Sequence, residues 1–176
     1  AACEYFGVEP NRLSTFTLPP GRSSIFKGIN GTTIIDSSYN ANVESVAVIL
    51  QMVSELATAK KWLILGDLTE QGREEKEEHE KIAELVARYS FDKIVLVGPR
   101  LKQYALPLLP HASSFNAPKE ALEHLKQTIA GGETLIFKGA RFLEGIIEHL
   151  LADERDVEKL CRREAVWQKR RAKWHL

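Results

Sequence analysis

Thr33-Ile34-Ile35-Asp36-Ser37-Ser38-Tyr39-Asn40-Ala41-Asn42, running straight into Val43-Glu44-Ser45-Val46, is the stretch that decides the fold. A short apolar run ends on a carboxylate, a small polar loop follows, and a helical pattern begins. In open parallel sheets, ligands bind at such strand ends, beyond the carboxyl termini of the strands. Asp, Ser, Tyr and Asn build no core in a loop, but they carry many donors and acceptors. The helix that follows adds an N-terminal dipole suited to phosphate or carboxylate. On composition alone, the same residues also read as a βα turn in which Asn42 merely caps the helix.

Upstream, Ser23–Lys27 and Thr32–Asp36 flank Gly28-Ile29-Asn30-Gly31, and Asn-Gly predicts a hairpin that sets one strand antiparallel to its neighbour. Downstream, Val46, Ile49, Leu50, Val53 and Leu56 form a helical stripe. Trp62–Leu65 is a buried strand ending at Gly66-Asp67, and Arg73–Tyr89 a charged amphipathic helix with Ile82, Leu85 and Val86 inward. Lys93–Val97 is a strand ending in Gly98-Pro99-Arg100. A short helix, a weak strand near Ser113–Phe115 and a helix over Pro118–Ile129 follow. Thr134–Phe137 is the last strand, ending in Lys138-Gly139, before a helix over Arg141–Leu150. Strands alternating with helices predict an α/β fold: a Rossmann-like, doubly wound, mostly parallel sheet with one antiparallel strand, over residues 22–151.

Residues 1–21 read as the end of a preceding unit, with Pro19-Pro20-Gly21 as a hinge. The chain starts at Ala1 in mid-helix without Met, as a piece of something longer. Residues 152–176 form a helical tail, acidic at its start and basic toward its end through Lys159, Arg162, Arg163, Lys169, Arg170, Arg171 and Lys173. Leu160, Trp167 and Trp174 recur every seventh position, which puts them on one face of a single helix. Such a helix docks on an anionic surface or, the preferred reading, packs Leu160 and Trp167 on its own domain.

With 176 residues, 44% of them hydrophobic, the chain can bury a real core. Its 24 basic and 24 acidic residues balance, which argues against a dedicated nucleic-acid binder. Cys3 and Cys161 fit no metal spacing and suit a reducing, cytoplasmic compartment. No apolar run nears the roughly 18 residues of a membrane span. No Gly-x-Gly-x-x-Gly marks a dinucleotide site, and no phosphate loop is present that would hold a triphosphate unaided. His79, His111, His124 and His149 read as structural or solvated, and no Ser or Cys sits in a nucleophile motif.

Four strand ends carry distinctive residues: Asp36–Asn42, Gly66-Asp67, Gly98-Pro99-Arg100 and Lys138-Gly139-Ala140-Arg141. Singly, each charge is a solvated loop group. Placed together along one sheet edge, Asp36 and Asp67 suit ribose hydroxyls, metal-bound water or an amine. Arg100, Lys138 and Arg141 suit a carboxylate or phosphate, Arg in bidentate fashion.

Asp36-Ser37-Ser38-Tyr39-Asn40-Ala41-Asn42 resembles the Asp-Asp-Ser-Tyr-Asn-Ala-Asn signature that opens the C-terminal domain of Mur ligases, and of their D-Ala-D-Ala-adding (MurF) type in particular. Gly21-Arg22 resembles the hinge into that domain. Leu65-Gly66-Asp67-Leu68-Thr69-Glu70-Gln71-Gly72 resembles Leu-Gly-Asp-Met-x-Glu-Leu-Gly, with His79 matching a His in the next helix. Lys138-Gly139-Ala140-Arg141, with Glu144, resembles Lys-Gly-Ser-Arg and its downstream Glu. Ser37, Val43 and Ala140 depart from the pattern, Ser37 standing where the resemblance expects the Asp assigned to ribose.

The resemblance implies an ATP- and Mg2+-dependent ligase. ATP phosphorylates a carboxylate of UDP-MurNAc-tripeptide, the amine of D-Ala-D-Ala attacks the acyl phosphate, and ADP and phosphate leave. The central domain would supply the phosphate loop and the Mg2+ ligands, so this piece alone would hold no catalytic residue and no metal site. Carried over by position, Arg22, Asp36, Tyr39, Asn40 and Asn42 would face the nucleotide. Asp67, Arg100, Lys138, Gly139, Arg141 and Glu144 would lie near the dipeptide. The implied protein is a cytoplasmic monomer with no nucleic-acid partner and no membrane insertion. The rival readings are a non-catalytic binding module on the same fold and a superfamily ligase with another amino-acid acceptor. Tyr39-Asn40-Ala41-Asn42 speaks against the latter, whose members usually carry His in this loop.

Overall fold

The computed structural model describes residues 18–140 and 142–173. The expectations for residues 1–17, Arg141 and Trp174 lie outside the described residues. Six strands form one sheet: β1 (Ser24–Lys27), β2 (Thr33–Ser37), β3 (Lys61–Gly66), β4 (Lys93–Val97), β5 (Ser113–Phe115) and β6 (Thr134–Lys138). Their order is β1-β2-β6-β3-β4-β5, with β1 antiparallel to β2 and all other pairs parallel. The Asn-Gly signal lands as expected. Asn30 and Gly31 both take left-handed φ (53° and 71°) in the short turn between β1 and β2.

Helices cover both faces, which is why the central strands carry consecutive apolar residues, Trp62–Leu65 and Leu135–Phe137, rather than alternate ones. On one face α1 (Val43–Ser54) and α2 (Glu75–Val86) pack Val46, Leu50, Ile82 and Val86 on Ile35, Leu63, Leu65 and Ile136. On the other, α3 (Pro118–Thr128) and α4 (Leu143–Glu148) pack Leu125, Leu143 and Ile147 on Ile34, Ile64, Leu135 and Phe137. The chain runs outward from β2 through β3 and β4 along the first face. It then returns along the second, so β6 enters between β2 and β3. This reversal is what opens a crevice at the carboxyl ends of an α/β sheet.

The last helix of the domain is shorter than the expected Arg141–Leu150: α4 covers only Leu143–Glu148, behind a left-handed Phe142 (φ 63°). The tail corrects the single-helix expectation. A 3-10 segment, Glu154–Lys159, ends with Leu160 in an extended conformation, and Arg162 is left-handed (φ 57°). Only then does α5 (Ala165–Ala172) begin. Leu160 and Trp167 therefore do not share a helix. Leu160 is buried in the core, while Trp167 meets the edge of Phe142 at 6.5 Å between ring centres.

Candidate functional site

β2 and β6 run in parallel register with Ser37 opposite Lys138, so the Asp36–Asn42 loop and Lys138 emerge side by side. Asp36 is fully buried, and its Oδ1 accepts the Ser38 N–H at 2.9 Å. That bond turns the chain back on itself directly after the strand. Burial raises the Asp36 pKa against the pull of the Ser38 hydrogen bonds and the Arg162 charge. Tyr39 then stands out, about half exposed, with the Arg22 guanidinium 4.8 Å from its ring centre. Its N–H donates to the Gly21 carbonyl at 3.1 Å. Gly21 has a φ of +74°, and a Cβ there would lie 3.1 Å from both Tyr39 Cβ and Cys161 Sγ, so this close approach requires glycine.

Asn42 caps α1, accepting the Ser45 N–H at 2.9 Å while its own N–H donates to Ser45 Oγ at 3.1 Å. The bland reading of Asn42 as a cap holds. Lys138 Nζ donates to the Asn40 carbonyl at 2.7 Å. Desolvation, with Arg22 nearby, brings its pKa down to about 8. Together Arg22, Tyr39, Asn40, Asn42 and Lys138 line an open cleft of about 760 Å³. Ser37, within the expected Asp36–Asn42 loop, lines it too; Ser45, Thr69, Glu70 and Gln71 line it as well and were missed. For the last three the signal was present, because they follow β3 within the quoted Leu65–Gly72 string.

The remaining described candidates do not line this cleft. Asp67 is fully buried, its Oδ1 accepting the Leu101 N–H at 2.9 Å and its Oδ2 facing the Arg100 N–H at 3.4 Å. It holds the start of the π-helical turn Leu101–Ala105. The Arg100 side chain pairs through Nε with Glu75 and lies 3.9 Å from Asp67. Gly139 takes a φ of +135°, and a Cβ on it would meet the Gly66 carbonyl oxygen at 2.5 Å, so its glycine serves strand packing. Glu144 is fully buried, and its carboxylate accepts a hydrogen bond from Arg162 Nη1 at 3.2 Å. Burial, countered by Arg162, raises its pKa. Nothing is described of Arg141.

His79 is structural: buried, it accepts the Leu68 N–H at Nε2 (3.1 Å), and its Nδ1 lies 2.6 Å from the Glu75 carbonyl, the geometry of a neutral ring protonated at Nδ1. His111 and His149 are exposed, and the half-buried His124 packs on Phe115 at 5.0 Å. Among the described residues no group of three or more His, Cys, Asp or Glu side chains is placed to hold a metal ion. Among them, too, no helix is long and apolar enough to cross a membrane.

A doubly wound α/β domain with a polar cleft where the returning strand enters the sheet has the architecture of the Rossmann-like class. Residues 21–141 match the family described as "Mur ligase, glutamate ligase domain", and the chain belongs to that family. The UDP-N-acetylmuramoyl-tripeptide--D-alanyl-D-alanine ligase of Bacillus subtilis is 28% identical over 163 residues, covering 86% of this chain and 36% of that protein. The enzyme of the same name from Escherichia coli is 29% identical over 132 residues, covering 73% of this chain and 28% of its own length. The chain thus spans about a third of the curated relatives it matches. The MurF ligase of Thermotoga maritima, solved in complex with ADP, shares the fold at a TM-score of 0.68 and 21% identity, covering 90% of this chain and 36% of that one. MurF from Acinetobacter baumannii does so at 0.71 and 24%, covering 86% and 35%.

Proposed function

We propose that this chain is the C-terminal domain of an ATP-dependent ligase that joins D-Ala-D-Ala to UDP-MurNAc-tripeptide in peptidoglycan synthesis. The observation that carries the reading is the cleft at the ends of β2 and β6. There the Lys138 ammonium, the Arg22 guanidinium and the amides of Asn40 and Asn42 surround a space of about 760 Å³. Cations beside a helix N-terminus suit an anionic, phosphate-bearing ligand, and the exposed Tyr39 ring offers a flat face to a base. The names of the curated relatives support the choice of substrates.

In this reading ATP phosphorylates the carboxylate of the tripeptide. The amine of D-Ala-D-Ala displaces phosphate from the acyl phosphate, and ADP and phosphate are released. The domain's share is to close over the nucleotide and hold the reactants in attack geometry. Mg2+ would assist phosphoryl transfer, and no ligand for it is assigned to the described part of this domain. What supports an indirect part for Asp36, Asp67, Arg100, Gly139 and Glu144 is that each is engaged within the chain, so they shape the strand ends that carry the cleft.

The test is phosphate release by the full-length protein that carries this domain. Release that needs ATP, UDP-MurNAc-tripeptide and D-Ala-D-Ala together, and that is lost in Asn40→Ala and Lys138→Ala, is the expected result. A folded protein that releases no phosphate with both substrates present overturns the ligase reading in favour of a binding module. Release with another amino-acid acceptor instead overturns the substrate assignment.

A further inference from the structure

The family match ends at residue 141, yet the chain beyond it reaches back to the signature loop. Arg162 donates through Nη1 to the Ser38 carbonyl at 3.2 Å and through Nη2 to the Tyr39 carbonyl. Lys138 holds the next carbonyl, that of Asn40, at 2.7 Å. Three successive carbonyls of the signature loop are therefore turned toward two cations, one from the sheet and one from the tail. The Arg162 guanidinium also lies 5.4 Å from the Tyr39 ring centre and 5.3 Å from that of Trp167. It is seated between the loop and α5.

The seat is built rather than accidental. Glu144, fully buried, pairs with Arg162 at 3.2 Å and lies 4.0 Å from Arg171 Nη1. Glu148 pairs with Arg163 at 2.7 Å and lies 3.6 Å from Arg171. Cys161, buried beside Ser38 Oγ at 3.9 Å, closes the space beneath the loop. Its thiol is pushed up to about 11 by burial, as expected of a dry contact rather than a reactive group. A charge inside such a site is retained only where its hydrogen bonds are made, and Arg162 makes them to the loop.

We propose that the segment 153–173 is a strap over the carboxyl ends of β2 and β6, and that Arg162 is the positioning residue that sets the Ser38–Asn40 loop in its ligand-binding conformation. Arg162 does not line the cleft; it acts through the backbone that presents Tyr39 and Asn40 to it. A fork that bonds two carbonyls at once cannot be replaced by an ammonium, which is a point donor. The link to nucleotide affinity rests on the ligase reading above, but the link to loop conformation does not.

Arg162→Lys in the full-length protein is the test, because it keeps a cation beside Glu144 and so preserves the fold. Trp167→Leu, which removes the aromatic seat without touching any charge, is the companion. In Arg162→Lys, amide hydrogen exchange over residues 38–41 is expected to quicken about tenfold with β3 unchanged. The KM for ATP is expected to rise about tenfold with kcat within about twofold, and Trp167→Leu to move both in the same direction by less. Unchanged exchange over the loop overturns the proposal, and so does exchange that rises equally across the whole sheet. Quickened loop exchange in a protein that binds no ATP even as wild type upholds the strap and overturns the ligase reading instead.

Discussion

The ends of β2 and of β3 present the same local sequence logic with opposite results. Each strand has a fully buried aspartate at its carboxyl end, Asp36 one residue before the last of β2 and Asp67 one residue beyond β3, and each is followed by a polar turn. At β3 the carboxylate is taken up by backbone N–H groups beyond the next strand, at Arg100 and Leu101, and Arg100 itself folds onto Glu75. That corner is closed. At β2 the carboxylate spends its reach on Ser38, two residues away, and the following Tyr39, Asn40 and Asn42 remain beside an open cleft. A strand-end carboxylate is thus a poor marker of a ligand site in this fold. What marks the site is the set of residues left beside the cleft once Asp36 Oδ1 has turned the loop through Ser38.

The closed corner is where substitution should hurt folding most. Gly98 has a φ of +127°, and a Cβ there would lie 2.3 Å from Asp67 Cγ. Gly98→Ala therefore combines backbone strain with overpacking, and a stability loss of about 3 kcal/mol or more is expected in denaturant unfolding. Asp67→Ala leaves the Leu101 and Arg100 N–H groups without their acceptor and should cost about 2 kcal/mol by the same measurement. If either variant unfolds at the wild-type midpoint, the distinction between a closed and an open corner is broken.

The open corner should respond in binding rather than stability. Asn42→Ala removes the reciprocal cap with Ser45, for an expected loss of about 1 kcal/mol. Lys138→Met should leave the protein folded at pH 7, since it removes a buried ammonium that desolvation disfavours, while nucleotide-dependent turnover by the ligase proposed above is lost. Lys138 also gives the corner a pH signature. Its folded pKa, about 8, lies below the ordinary lysine value of 10.5, so between these values the unfolded chain binds the extra proton. Stability contributed by this group must then rise with pH from about 8 to 10.5, and the rise should vanish in Lys138→Met. Affinity for a phosphate-bearing ligand should move the other way, falling as the ammonium is lost above about pH 8. Parallel pH titrations of unfolding midpoint and ligand affinity read both slopes.

Much of this arrangement was legible in the chain before any coordinates. The order of strands and helices followed from periodicity: Val46, Ile49, Leu50 and Val53 at helical spacing, and Trp62 to Leu65 as an unbroken apolar run. Asn-Gly at positions 30 and 31 announced the antiparallel pairing of β1 with β2. Arg22, Tyr39, Asn40, Asn42 and Lys138 were named as candidates, and the fold brings all five to one cleft. Leu160 and Trp167 do pack on their own domain, but the single helix was misjudged because a spacing of seven between them says nothing about the left-handed Arg162 that separates them. Gln71 and its neighbours stood in the quoted Leu65–Gly72 string but went unassigned, because a polar turn after a strand has no periodicity to mark which side it lines.

What the sequence determined by itself is local: which segments form strands, which faces are apolar, and where the polar turns fall, since these depend on residues a few positions apart. Which of the turn residues are free to meet a ligand was decided by tertiary structure alone. Asp67 finds its partner 34 residues away at Leu101, and the Ser38 carbonyl finds its partner 124 residues away at Arg162. A buried carboxylate or carbonyl must be satisfied by whatever donor the completed fold places beside it. That donor lies too far along the chain for any local pattern to announce it.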